Sequence, residues 1–293
     1  MDTPTFPQVQ ALAERARAVD GVSPLDEQVL LRLKHGDDTG VQHLTRWDGD
    51  TLVGYGHLDA SGRGDAVAKL VVDPDHRRQG IGRALVQQMV ALAAPAPLSL
   101  WSHGRHPAAS SLADSLGFSV ARELWKMRRA LEEPLPETPA AQGVTVRAFA
   151  PGDEQALLEV NAAAFADHPE QGAMSLTDLH QRMAEPWFDP AGLFMAWRDS
   201  SSSPELLGFH WTKVHSTDTA VPFGEVYVVG VSPAAQGLGL GRSLTLAGLQ
   251  HLRKLGLSTV QLYVEGDNAP AIALYTRLGF QHFDTDVLYR HTP

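Results

Sequence analysis

The chain of 293 residues contains no cysteine. This rules out a disulfide framework, a thiolate zinc site and a cysteine nucleophile, and nothing in the chain calls for an oxidising compartment. Positive charge is also in short supply: 24 Lys and Arg stand against 34 Asp and Glu, a formal net charge of -10. Binding nucleic acid by phosphate neutralisation needs an excess of Lys and Arg to displace counterions, and no excess exists. Small molecules are the expected partners. Long apolar runs are missing as well. Residues 1–19 are broken by Pro4, Pro7 and charged side chains, so neither a signal-peptide core nor a membrane span is expected there, and a cytoplasmic protein is the default. The 13 histidines do not fall at zincin spacing on a helix; His210 and His215 read as strand decoration, and no metal is expected.

What the chain does have is apolar material, 43% of it, enough to fill two cores. Residues 131–143 crowd Glu132, Glu133, Pro134, Pro136, Glu137 and Pro139 together without apolar periodicity, which marks a linker between a domain over 1–134 and another over 143–293. A run of serines within 199–204 separates two strand-like stretches, 193–197 and 206–213, and reads as a hairpin loop.

The two sides of the linker repeat each other. Leu70-Val71-Val72-Asp73-Pro74 followed by Arg77-Arg78-Gln79-Gly80-Ile81-Gly82-Arg83 has its counterpart in Val229-Gly230-Val231-Ser232-Pro233 followed by Gln236-Gly237-Leu238-Gly239-Leu240-Gly241-Arg242. The offset is constant, 231 − 72 = 241 − 82 = 159. Further on, Leu116-Gly117-Phe118 recurs as Leu278-Gly279-Phe280 at an offset of 278 − 116 = 162. Two matched blocks in the same order indicate duplication.

Each first block has a readable physics. An apolar β-rich run ends, a Pro stops it, glycines let the backbone turn with its N–H groups converging, and a helix begins. The first helix carries a stripe of Ile81, Leu85, Met89 and Leu92, and the second starts one with Leu240, Leu244 and Ala247. N–H groups at such a turn, with the positive end of the helix dipole, favour an anion, most naturally a diphosphate. Arg83 and Arg242 add charge. Gly237-Leu238-Gly239-Leu240-Gly241, with Glu265 downstream, also matches a dinucleotide fingerprint, but weakly.

Arg77 and Gln236 open a better-fitting pattern: Arg or Gln, two residues, Gly, one residue, Gly. It resembles the pyrophosphate loop of the GCN5-related N-acetyltransferases. In the second half, the strand Leu262-Tyr263-Val264-Glu265, an N-cap at Asn268, Pro270 in the first turn and Gly279 after the helix extend that resemblance. It implies an α/β fold with mixed sheets, two tandem acetyltransferase domains, and acetyl-CoA as co-substrate. By the resemblance, Val229, Gly230 and Val231, residues 236–242, and Asn268 and Ala271 hold acetyl-CoA in the second half. Leu70, Val71, Val72 and residues 77–83 are the counterparts in the first. The family role of Tyr275 is to protonate the departing thiolate, and Glu225 is placed to take a proton from the attacking amine. Read only as a sequence, Tyr275 is equally a core aromatic beside Ala271, Leu274 and Leu278, and Glu225 a solvated strand-end carboxylate.

The first half lacks both groups. The downstream block puts Ala113 where Tyr275 stands, and the loop offset puts Ala66 where Glu225 stands. It is expected to bind CoA or act as scaffold without catalysing transfer. The segments 165–172, 208–215 and 224–231, with Val19-Asp20-Gly21-Val22 and Glu27-Gln28-Val29-Leu30, resemble the mycothiol synthase family of tandem acetyltransferases over nearly the whole chain. That resemblance implies acetyl transfer to the cysteinyl amine of a pseudodisaccharide, with Glu27, Glu170, Lys213, Glu225 and Tyr263 contacting the acceptor. A monomer is expected, with no basis in the resemblance. Residues alone leave other readings open: acetylation of an aminoglycoside or peptide amine, or a non-enzymatic acyl-CoA sensor.

Overall fold

The computed structural model describes residues 4–36, 39–61, 64–137, 142–166, 169–199, 204–216 and 221–293, the side chains of Pro169 and Glu170 excepted. Residues 138–141 of the Pro- and Glu-rich stretch and the serines at 200–203 lie outside the described residues. The chain forms two compact units: Met1–Trp125 with Glu265–Asp267 and Asp284–Pro293, and Lys126–Val264 with Asn268–Phe283.

The first unit opens with helix α1 (Phe6–Asp20), entered through Thr5, whose backbone N–H donates to the Gln8 side chain at 2.9 Å, and ended by Gly21 with φ 75°. Its buried residues Val9, Leu12, Ala13 and Ala16 recur at helical spacing and face the sheet. Then come α2 (Glu27–His35), β1 (Val41–Asp48), β2 (Thr51–Asp59), β3 (Ala66–Val72), α3 (Ile81–Ala93), β4 (Leu98–Ser102), α4 (Pro107–Ser115) and β5 (Ser119–Ala130), whose residues up to Trp125 belong here. Strands β1, β2 and β3 are antiparallel neighbours and β3 pairs β4 in parallel. The α1 and α2 helices pack with Leu52, Tyr55 and Val71, while α3 packs with Leu58, Ala66, Ala68 and Leu100. The α3 stripe is Leu85, Val86, Met89 and Ala93; Leu92, expected in it, is 42% exposed, because the contact with the sheet follows the 3.6-residue turn toward Ala93.

The second unit contains β6 (Val144–Ala148), α5 (Glu154–Ala164), α6 (Pro169–Gly172), α7 (Leu176–Met183), β7 (Leu193–Arg198), β8 (Glu205–His215), β9 (Phe223–Val231), α8 (Leu240–Lys254), β10 (Thr259–Glu265), α9 (Ala269–Arg277) and the start of β11 (Gln281–His291). Strands β6 to β9 form an antiparallel meander, with β7 and β8 paired as a hairpin, and β9 pairs β10 in parallel. One face is covered by α5 and α7 through Leu157, Val160 and Leu179, the other by α8 through Leu240 and Leu244. From Asp284 onward β11 returns to the first unit, pairing antiparallel with β4 from Val287↔Ser102 to His291↔Leu98.

In both units the parallel ladder beside the glycine turn is short. It covers only Ala66↔Leu98 to Ala68↔Leu100 in the first and Val260↔Gly224 to Leu262↔Val226 in the second, although β3 runs to Val72 and β9 to Val231. Each sheet therefore opens along the last residues of the strand that leads into the turn.

Candidate functional site

The second copy is built on the exit of β9. After Val231, Gly237 and Gly239 take left-handed backbone, φ 84° and 73°, and Gly239 serves as the N-cap of α8 without a side-chain cap bond. Gly80 does the same for α3, with φ 85°. Three other helices are capped by side chains: Asp26 accepts from the Val29 N–H, Ser175 from Asp178 and Asn268 from Ala271. Where glycine replaces a capping side chain, the first N–H groups of the helix point at whatever anion enters the turn.

Along β9 the register contains a break. Trp211 pairs Val228 and Thr212 pairs Val226, so Tyr227 is an extra residue, a β-bulge, in the strand. The matching stretch of β3 pairs β2 without interruption from Gly54↔Val72 to Asp59↔Val67. The copies thus share register up to Val228 and Lys69 and then diverge where the second half carries Glu225.

Glu225 is 7% exposed, an interior strand residue and not the solvated strand-end carboxylate that its residue type suggests. Its register neighbours are Lys213 on β8 and Gln261 on β10. Lys213 holds its ammonium 4.4 Å from the ring centre of Trp187 and 5.2 Å from that of Tyr227, and Arg182 donates to the Tyr227 hydroxyl at 3.0 Å. Two positions beyond Gln261, on the same face of β10, stands Tyr263, 39% exposed, with the Lys126 ammonium 5.7 Å from its ring centre. His215 reaches Glu225 directly, Nε2 to Oε2 at 2.5 Å. The decoration reading is therefore wrong for His215. His210 is also more than decoration: it is fully buried, its Nδ1 lies 2.8 Å from the Leu244 carbonyl, and burial lowers its pKa to about 4, so it is neutral at pH 7 and Nδ1–H donates.

Tyr275 lies on α9, whose N-cap is Asn268, with Pro270 in its first turn and Gly279 beyond its end at φ 86°. It is half-buried, its ring meets Phe280 edge-on at 5.8 Å, and desolvation pushes its pKa up to about 12. The phenol keeps its proton at pH 7 and can donate it.

In the first unit, residues 70–72 with Arg77, Arg78, Gly80, Ile81, Gly82 and Arg83 line a cavity of about 550 Å³, together with Trp101, His103, Ala113 and Tyr289. That volume is in the range of small-molecule sites. The Arg77 guanidinium is committed to Asp20, with two bonds of 2.7 Å, and this hydrogen bonding holds the Asp20 carboxyl below its usual range despite partial burial. Arg83 donates to Ser115 at 2.9 Å. Arg78 occupies the place of Gly237, with φ 63°. Ala66 and Ala113 are buried among apolar neighbours. The bulge shifts the strands by one residue, so Ala66, which pairs Leu98, matches Gly224, which pairs Val260, and Val67, not Ala66, stands where Glu225 does.

Among the expected acceptor residues, Lys213 and Glu225 are brought together by register and Tyr263 follows on the adjacent strand. Glu27 opens α2 in the first unit; Glu170 falls in α6, and its side chain lies outside the described residues. Glu265, the acid of the dinucleotide reading, is bound by Arg122. His215 is the residue that sequence reasoning missed. Its only signal was a position two residues beyond Lys213, which acquires meaning once the β8–β9 register is known. No cluster of potential metal ligands occurs among the described residues, and none of their helices is long and apolar enough to cross a membrane.

A model described as the acetyltransferase (GNAT) family matches residues 157–280, and one described as an acetyltransferase (GNAT) domain matches residues 40–120. A curated relative named mycothiol acetyltransferase, from Thermomonospora curvata, is 52% identical over 293 residues, spanning 99% of this chain and 95% of the relative. One of the same name from Streptomyces avermitilis is 52% identical over 285 residues, 96% of this chain and 90% of its own. Among solved structures, a tandem GNAT protein from the clavulanic acid biosynthesis pathway superposes with a TM-score of 0.73 at 19% identity, covering 98% of this chain and 94% of that one. A GCN5-related N-acetyltransferase from Sphaerobacter thermophilus gives 0.67 at 22%, covering 98% and 92%. At those identities the likeness concerns the fold alone.

Proposed function

Because the chain belongs to the mycothiol acetyltransferases, tandem members of the GNAT family, we infer that it moves acetyl from acetyl-CoA to the cysteinyl amine of 1D-myo-inositol 2-(L-cysteinylamino)-2-deoxy-α-D-glucopyranoside, the last step of mycothiol synthesis. It is an acetyl-CoA-dependent N-acetyltransferase. The half over 143–293 is the catalytic one in this reading and the half over 1–134 is silent. The observation that carries the division is the contrast between the copies: β9 has Glu225 beside a bulge and α9 has Tyr275, whereas the unbulged β3 has Val67 at the matching place of the ladder and α4 has Ala113.

The chemistry is a direct transfer. The acceptor nitrogen attacks the thioester carbon, the C–N bond forms, and the C–S bond breaks as the tetrahedral intermediate collapses. An α-amino group titrates at about 7.7, so Glu225 has only to take a proton that is already labile, directly or through a water. Backbone N–H groups of residues 229–231, along the opening of the sheet, polarise the carbonyl as its oxygen gains charge. Tyr275, protonated because burial raises its pKa to about 12, donates to the sulfur and CoA leaves as the thiol. The N–H groups at Gly239, Leu240 and Gly241 grip the diphosphate, with Arg242 adding charge. Lys213, Glu225 and Tyr263 offer donors, an anion and an aromatic face, the mixture a hydroxyl-rich ammonium acceptor needs. A cytoplasmic location fits this reading, in which the enzyme draws on acetyl-CoA.

Incubation of the protein with acetyl-CoA and, separately, the cysteinyl glucosaminyl-inositol, an aminoglycoside and a peptide amine tests the reading. CoA release and an acetylated product mass are expected with the first. Product from one of the others would reassign the acceptor, and acetyl-CoA binding without CoA release from any mixture would make the chain a sensor.

A further inference from the structure

Glu225 is not alone in its stretch of sheet. In the antiparallel β8–β9 ladder Lys213 pairs Glu225 and His215 pairs Phe223, so His215 stands diagonal to Glu225 on the same face. Stacking and a short polar contact orient its ring. It stacks on Phe223, centroids 4.5 Å apart and planes 12° from parallel, and its Nε2 meets Oε2 of Glu225 at 2.5 Å. The carboxylate is nearly enclosed, with 9% of its side chain exposed, and the imidazole is more open at 28%.

A carboxylate that accepts a proton from an amine needs one oxygen aimed at the nitrogen. A Glu side chain with three rotatable bonds does not hold that aim unaided, and freezing it costs rotamer entropy of about 1.5–2 kcal/mol on general scales. We propose that His215 is the positioning residue of Glu225: its Nε2–H donates to Oε2 and fixes the carboxylate, leaving Oε1 to receive the amine proton. No covalent step is added. The amine proton moves to Oε1, and the imidazole proton stays on Nε2. Phe223 has a part in this, since its stacked ring restricts the imidazole to the plane in which Nε2 reaches the carboxylate. The other groups facing Glu225 do different work. Lys213 is held over the rings of Trp187 and Tyr227, and β10 presents the neutral Gln261.

The inference rests on Glu225 being the base, and the test separates the two. Steady-state kinetics are measured for H215F, H215N, H215Q, E225Q and the H215F/E225Q pair, with thermal unfolding as a check on folding. Expected is a ten- to hundredfold fall in kcat for H215F and H215N, with both KM values within about twofold of the parent. The amide of H215Q can donate from nearly the same place, and should recover most of the loss. In the E225Q background H215F should cost less than about twofold more, the non-additivity of two groups acting as a unit. Parent-like kcat in E225Q overturns the base and this proposal with it. A slow E225Q alongside a parent-like H215F or H215N, an H215Q no better than H215N, or fully additive losses overturns the positioning role alone.

Discussion

Arg78 and Gly237 hold the same place in the two glycine turns, 159 positions apart, and both take left-handed backbone, φ 63° and 84°. For a residue with a Cβ that conformation costs about 1–2 kcal/mol, and for glycine almost nothing. Against this, glycine loses more conformational freedom on folding, about 0.5–1 kcal/mol. R78G should therefore stabilise the ligand-free protein by no more than about 1.5 kcal/mol, read by denaturant unfolding. Because Arg78 lines the first cavity, the same change should weaken any CoA binding there in calorimetric titration. Unchanged capture would leave the side chain without a ligand role.

In the proposed mechanism Tyr275 contributes only its hydroxyl. Tyr275→Phe keeps the ring contact with Phe280 and removes the proton donor, so kcat should fall by about 10²–10⁴ while acetyl-CoA affinity stays within a few-fold. With a pKa of about 12 the phenol does not ionise in the working range, so the parent's rate should show no alkaline loss from this group below about pH 10. A rate profile for parent and variant checks both statements.

The two glycine turns should answer differently to the same injury. Bulky side chains at Gly239 and Gly241 block the approach of a diphosphate to the start of α8 and should abolish transfer. The equivalent changes at Gly80 and Gly82 should leave turnover measurable. Loss of turnover from the second pair alone, in a protein that still unfolds cooperatively, would make the first half a participant in catalysis.

Asp26 governs an acid-sensitive contribution to stability. Burial opposes its charge, but Lys69 at 2.7 Å, His103 and the Val29 N–H outweigh burial and lower its pKa to about 2. The folded value lies below the unfolded one of about 3.9, so this stabilisation is present above roughly pH 4 and is lost as pH falls toward 2. Asp26→Asn retains the cap of α2 and removes only the charge. With a third of the Asp26 side chain exposed, screening limits the cost to about 1–2 kcal/mol at pH 7, and the difference from the parent should shrink on acidification below pH 4, measured by denaturant unfolding.

A methyl group on Gly248 would stand 2.0 Å from the His210 ring, which is buried and bonded to Leu244 of the same helix. The ring has no room to withdraw. Gly248→Ala should destabilise the protein by about 1–3 kcal/mol despite the better helix propensity of alanine, seen as an earlier denaturant midpoint at constant slope.

Much of this molecule was legible locally. The glycine turns, the helices that follow them, the Asn268 cap and the Gly279 stop all depend on φ preferences and on bonds spanning three or four residues, and each sits where the residues alone put it. The duplication, and the loss of Glu and Tyr from its first copy, was equally a property of the string. The family's acceptor residues needed more than physics, since an isolated Glu or Lys reads as solvated surface.

What only the tertiary structure decided is whatever depends on pairing between distant segments. The bulge at Tyr227, the placement of Lys213 opposite Glu225, the diagonal contact of His215 and the return of β11 to the first unit all follow from strand register. Register is set by the burial of whole faces, and a one-residue slip would send His215 and Glu225 to the wrong sides of the sheet. The sequence by itself established the duplicated fold and which copy carries the proposed proton donor and acceptor. The folded sheet determined which histidine meets that acceptor, because the contact exists only after two strands ten residues apart in sequence at this point have been aligned and their side chains fixed on one face.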